Sequence, residues 1–85
     1  MKLVYFSWLR EKAGLSEEEV ELPPAVSDVR DLLDWQRERG GGFAEAFADL
    51  ASVRVAVNQE HVTLDHAVKA GDEIAFFPPV TGGRP

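Results

Sequence analysis

The sequence predicts an α+β fold, a mixed β-sheet packed on one main helix. Three observations predict it. Two runs rich in aromatic and β-branched residues, 2–9 and 73–77, lie towards opposite ends of the chain and read as strands. One strong helical stripe lies between them, with Val29, Leu32, Leu33 and Gln36 at i, i+3, i+4 and i+7. The order strand, strand, helix, strand, short strand, strand cannot wind into a repeated β-α-β sheet, so the strands must share one sheet over a single helix.

Length and composition set the limits. At 85 residues the chain makes one domain, and a domain of this size buries roughly 60–65% of its unfolded surface. It is 45% hydrophobic and 28% charged, an ordinary balance for a folded chain. With no cysteine, side-chain thiolates can supply neither a disulfide, nor a metal site, nor a nucleophile. The formal charge of −6 lacks the basic clustering of a nucleic-acid footprint. No apolar run is long enough to span a membrane, and the N-terminus lacks the plan of a signal peptide; the expectation is a cytoplasmic protein that binds neither membrane nor nucleic acid.

The first strand is expected over 2–9, with Leu3, Tyr5, Ser7 and Leu9 on one face and Val4, Phe6 and Trp8 on the other. Both faces are apolar, so both need covering, one by the helix and one by a partner. Ala13-Gly14 lies in a turn, and a second strand over 17–22 points Val20 and Leu22 inward before Pro23-Pro24 stops it. These two strands form an N-terminal hairpin, with Glu17-Glu18-Glu19 as a solvated edge. Ser27 or Asp28 caps the main helix, expected over 28–39, and Gly40-Gly41-Gly42 ends it as a connector. Phe43, Phe47 and Leu50 mark a short second helical piece. Val53, Val55 and Val57 alternate as a half-buried strand, Asn58-Gln59-Glu60 turns, and His61-Val62 begins a brief return strand. One helical turn is expected near 65–68. Gly71-Asp72 then leads into the last strand, with Ile74 and Phe76 facing the core and Ala75 and Phe77 the opposite side. That strand is expected beside the first, at the sheet's centre.

Pro78-Pro79 ends all ladder bonding, and little beyond it can pack. The expected division is a globular domain over 1–79 and a tail over 80–85 that presents Gly82-Gly83. His61 and His66 have neither cysteine partners nor ligand spacing, so no metal site is read from them. Arg10 and Lys69 read as solvated charges.

The string Asp72-Glu73-Ile74-Ala75-Phe76-Phe77-Pro78-Pro79-Val80-Thr81-Gly82-Gly83 resembles the ending of the small subunit of molybdopterin synthase, a family of ubiquitin-like sulfur carriers. Val4-Tyr5-Phe6-Ser7-Trp8-Leu9-Arg10-Glu11 and Ala56-Val57-Asn58-Gln59 extend the resemblance over nearly the whole chain. It implies a β-grasp fold. It also implies that the carboxylate of Gly83, with Gly82 as its slim neighbour, is adenylated by an E1-like adenylyltransferase using ATP and converted to a thiocarboxylate. The sulfur then passes to cyclic pyranopterin monophosphate inside the large synthase subunit, in a heterotetramer with two large subunits at its centre. Phe6, Phe77, His61, Pro78, Val80 and Thr81 are the partner-contact residues so implied, with Trp8 a weaker candidate. No cofactor is expected on the chain itself.

The chemistry is coherent. Glycine leaves a narrow channel unobstructed, a docked domain delivers its sulfur at high effective concentration, and Pro78-Pro79 stiffens the base of the arm. One departure from the family is Arg84-Pro85, which makes the Gly83 carbonyl an amide. Proteolytic removal, a cloning remnant and loss of activation are the three explanations. A sulfur carrier for thiamine or another thio-metabolite, a ubiquitin-like protein modifier and an inert binding domain are the alternative functions.

Overall fold

A computed structural model of the chain describes residues 1–79. The expected tail, including Val80, Thr81, Gly82, Gly83, Arg84 and Pro85, lies outside the described residues.

The strands are β1 (Lys2–Tyr5), β2 (Glu17–Glu19), β3 (Arg54–Val57), β4 (Glu60–Val62) and β5 (Glu73–Phe77). The helices are α1 (Trp8–Ala13), α2 (Val29–Glu38) and α3 (Gly41–Ala46), followed by a 3-10 turn at Leu50–Ser52. The strands form one sheet in the order β2-β1-β5-β3-β4. β1 and β5 run parallel at its centre, and every other pairing is antiparallel. The first and last strands thus lie side by side, as their apolar content predicts.

The main helix forms where the stripe places it, and Asp28 is its cap. Asp28 Oδ1 accepts from the Asp31 amide at 2.9 Å, while Asp31 Oδ2 accepts from the Ser27 amide and hydroxyl at 3.1 and 2.9 Å. Val29, Leu32, Leu33 and Gln36 all turn into the core against Leu3, Tyr5, Val55, Val57, Ile74 and Phe76. Four aromatic rings interlock there: Phe76 stacks on Tyr5 at 5.4 Å, and Phe47 meets both edge-on at 5.0 and 6.3 Å, with Phe43 edge-on to Tyr5 at 6.1 Å.

The structure corrects the expected strand over 2–9. Its ladder ends after Tyr5 and one further bond, from the Phe6 amide to the Phe76 carbonyl at 3.0 Å. Ser7 then takes φ 58°, a left-handed turn incompatible with continuing a strand. Trp8 to Ala13 form α1 instead, with Leu9 fully buried and Trp8 packed partly into the core. Gly14, at φ 84°, closes that helix with its amide on the Arg10 carbonyl at 2.9 Å. β1 and β2 therefore pair antiparallel across a helical connection, not a tight hairpin.

Other boundaries shift less. β2 stops at Glu19, while Val20 and Leu22 still pack against the core. Gly41 and Gly42 are the first turn of α3 and not merely a connector. Gly42 lies so close to α1 that a Cβ there would sit 1.8 Å from the Lys12 carbonyl oxygen. The helical turn expected near 65–68 is absent: Asp28 bridges Ala67, and the His66 and Leu64 carbonyls accept from the Val29 and Arg30 amides at 3.0 and 2.9 Å. Those carbonyls satisfy first-turn donors that α2 cannot satisfy itself.

Gln36, the polar member of the helical stripe, is fully buried. Its Nε2 donates to the Tyr5 hydroxyl at 2.7 Å, and its Oε1 accepts from Arg39 at 3.0 Å. The Tyr5 hydroxyl donates to Glu18 at 2.7 Å, and Arg39 grips both Glu18 oxygens at 2.6 and 3.1 Å. Glu18 is thus no part of a solvated edge. It stands opposite Leu3 on the helix side of the sheet and ties β2 to α2. The Arg39 hydrogen bonds hold its carboxyl below the usual range, and burial pushes the Tyr5 hydroxyl up. The guanidinium also lies 3.7 Å above the centre of the Phe43 ring.

Candidate functional site

Alternation along the strands gives the sheet two unlike faces. One carries the core. The other carries Glu17 and Glu19 from β2, Lys2 and Val4 from β1, Glu73, Ala75 and Phe77 from β5, Arg54 and Ala56 from β3, and His61 from β4. No helix covers this second face among the described residues. Val4 registers with Ala75, Ala75 with Ala56, and Ala56 with His61, giving an apolar row that ends on an imidazole. The His61 and Phe77 rings are in contact, their centroids 5.1 Å apart.

Because β1 and β5 are parallel, both finish at the same end of the sheet. Tyr5 registers with Phe76, so Phe6 follows beside Phe77. Phe6 is 49% exposed, the one large hydrophobic residue so open among those described. Phe77, Pro78 and Pro79 are half-buried. An exposed aromatic residue, the strand position of Phe77 beside it and two prolines therefore lie at the same end of the sheet.

Of the residues expected to contact a partner, Phe6, Phe77, His61 and Pro78 are brought to this face or its end. Val80 and Thr81, like Gly82 and Gly83, lie outside the described residues. Trp8 is drawn off into α1. Arg54 was not singled out from the sequence, yet it stands directly across from Phe77. Its period-two spacing from Ala56 was the available signal.

The turn that positions His61 is held from beneath. Asn58 and Gln59 both have positive φ, 51° and 71°, as a two-residue hairpin requires. Asn58 Nδ2 donates to Asp72 at 3.0 Å, and Asn58 Oδ1 accepts from the Glu73 amide at 3.0 Å. Asp72 also accepts from the Lys69 amide at 2.9 Å. Burial pushes the Asp72 carboxyl up, but these hydrogen bonds outweigh it and hold the group below its ordinary range. Arg10 and Lys69 are exposed, as are His61 and His66. No group of three or more potential ligands among the described residues could hold a metal ion, and none of their helices is long and apolar enough to cross a membrane.

Comparison with known proteins matches the ThiS family to residues 3–83. The chain belongs to the ThiS family. Among its relatives, the molybdopterin synthase sulfur carrier subunit of Escherichia coli K12 is 40% identical over 84 residues, covering 98% of this chain and 99% of that one. The Haemophilus influenzae protein of the same name is 39% identical over 84 residues, with the same coverage. A Pyrococcus furiosus structure described as molybdopterin converting factor, subunit 1, superposes with TM-score 0.74 at 38% identity, covering 93% of this chain and 95% of that one. SAMP1 of Haloferax volcanii superposes with TM-score 0.70 at 32% identity, covering 98% of each. The fold of this ThiS-family chain is the β-grasp that the terminal motif implied. The resemblance to the molybdopterin synthase small subunits extends from end to end.

Proposed function

We propose that this chain is the sulfur-carrier small subunit of molybdopterin synthase. Full-length likeness to relatives named for that role is the observation that carries the reading. The geometry supports it: the exposed Phe6 and the ring of Phe77 stand just before the segment of the sequence that carries Gly82-Gly83. Loss of Arg84-Pro85 frees the Gly83 carboxylate. An E1-like enzyme joins that carboxylate to AMP from ATP with release of pyrophosphate, and a sulfur donor displaces AMP to leave a thiocarboxylate. The arm then enters the large synthase subunit, whose side chains catalyse transfer to cyclic pyranopterin monophosphate. This chain supplies the tethered sulfur, not the catalytic groups. Both partners would use the open sheet face, so the two complexes exclude each other. A cytoplasmic location fits that work, which consumes ATP.

The test is reconstitution. A chain ending at Gly83, thiocarboxylated and mixed with the large subunit, converts cyclic pyranopterin monophosphate to the dithiolene; a chain ending at Thr81 folds equally well and converts none. Equal conversion by both would reject the reading. Likeness to SAMP1, also described as a small archaeal modifier protein, favours one second reading, attachment of Gly83 to a lysine amine of another protein. Isopeptide-linked conjugates in cells would mark it. Sulfur delivery to thiamine or another thio-metabolite would show instead in the partner that copurifies.

A further inference from the structure

We infer that His61 makes docking of this face proton-linked, so that the carrier binds its large subunit as the neutral imidazole and is released by acid. The inference rests on the proposed function, which supplies the large subunit as occupant. His61 lies at the end of the row Val4, Ala75, Ala56, and its ring packs on Phe77. A partner surface that covers Phe6 and Phe77 must cover this imidazole as well. In the free chain His61 is exposed, so a proton on it stays in water. Covered against apolar groups, the same proton would carry an uncompensated charge out of water, which is costly.

The neighbouring charges do not offset it. On β3, Arg54 shares the face and would repel an imidazolium. On β5, Glu73 shares the face but lies 3.9 Å from the Lys2 ammonium of β1. Glu17 and Glu19 of β2 share it only at the edge of the sheet opposite β4, Glu17 being 3.7 Å from the same ammonium. On β4 itself, Glu60 registers with the core residue Val57 and so points to the opposite face. Among the described residues His61 forms neither a salt bridge nor a side-chain hydrogen bond. Histidine is the side chain whose charge changes between pH 5 and 8. Docking that admits only the neutral ring therefore weakens as pH falls through that window.

The experiment measures affinity for the large subunit by calorimetry at pH 7.5 and 5.5, using the chain ended at Gly83. His61→Phe keeps a ring on Phe77 and removes the proton, and His61→Gln is a second uncharged form in case the first fails to fold. Dividing the wild-type pH ratio by the variant's ratio cancels titration of the large subunit. The expected result is that acidification weakens wild type about fivefold to tenfold more than either variant. Equal ratios, or a wild type that tightens in acid relative to the variants, overturn the inference. Absence of binding by every form at both pH values removes the functional reading, and this inference with it.

Discussion

Replacing Tyr5 with Phe probes the buried network that joins three elements of the fold. The hydroxyl it removes accepts from Gln36 Nε2 and donates to Glu18, each at 2.7 Å. Glu18 keeps its two bonds from Arg39, so its charge remains compensated. Gln36 is fully buried and loses the acceptor for its amide. A buried donor without a partner costs about 1–3 kcal/mol, and in a domain of this size each kcal/mol lowers the melting temperature by roughly 4–8 °C. Tyr5→Phe should therefore lose about 2 kcal/mol and melt roughly 8–16 °C lower. Adding Gln36→Leu removes the orphaned donor, so the double variant should be less destabilised than the two single losses summed, by about 1 kcal/mol. Urea unfolding followed by the fluorescence of Trp8 and Trp35, with thermal circular dichroism beside it, measures all three. A Tyr5→Phe loss under about 0.5 kcal/mol, or strict additivity of the pair, would refute the reasoning.

Three further outcomes follow from the same structure. Gly42→Ala puts a methyl group into the Lys12 carbonyl and should cost about 2–3 kcal/mol, whereas Gly71→Ala meets nothing within 4 Å and should stay within about 0.5 kcal/mol of wild type, both read by thermal denaturation. Glu18 has its carboxyl held down in the fold, so its contribution is complete above the ordinary glutamate value of 4.5 and is lost as pH falls below it. Stability measured from pH 6 to 3 should therefore fall less steeply in Glu18→Gln than in wild type. Phe6→Asp, at an exposed position, should leave the melting temperature nearly unchanged yet weaken capture by the large subunit more than tenfold in a calorimetric titration.

Much of this architecture was legible because one physical signal dominated each stretch. Val29, Leu32 and Leu33 could share a face only on a helix, and Ile74 and Phe76 could do so only on a strand. The central pairing followed from the apolar content of β1 and β5. What escaped the sequence were places where two periodicities overlap. Apolar alternation through Tyr5 and Phe6 runs on into Trp8 and Leu9, although Leu9 and Ala13 are equally spaced for a helix ending at Gly14. Only the backbone turn at Ser7 decides between them. Glu18 looked solvated because it sits among acidic neighbours, and no local pattern announces an arginine 21 residues away. Gln36 looked like a flaw in the stripe for the same reason, its partner being Tyr5, 31 residues earlier. Within the candidate site, parity alone placed Phe6 and Phe77 opposite the core. Their placement at the same end of the sheet depends on β1 and β5 being parallel.

The central claim is that the working atom is carried on the main chain at Gly83. Mass spectrometry of the chain ended at Gly83, after incubation with the E1-like enzyme, ATP and a sulfur source, tests it most directly. The account predicts a gain of about 16 Da, one oxygen exchanged for sulfur, localised to the C-terminal peptide and abolished when ATP is withheld. An unchanged mass, or sulfur found on any other peptide, would contradict it.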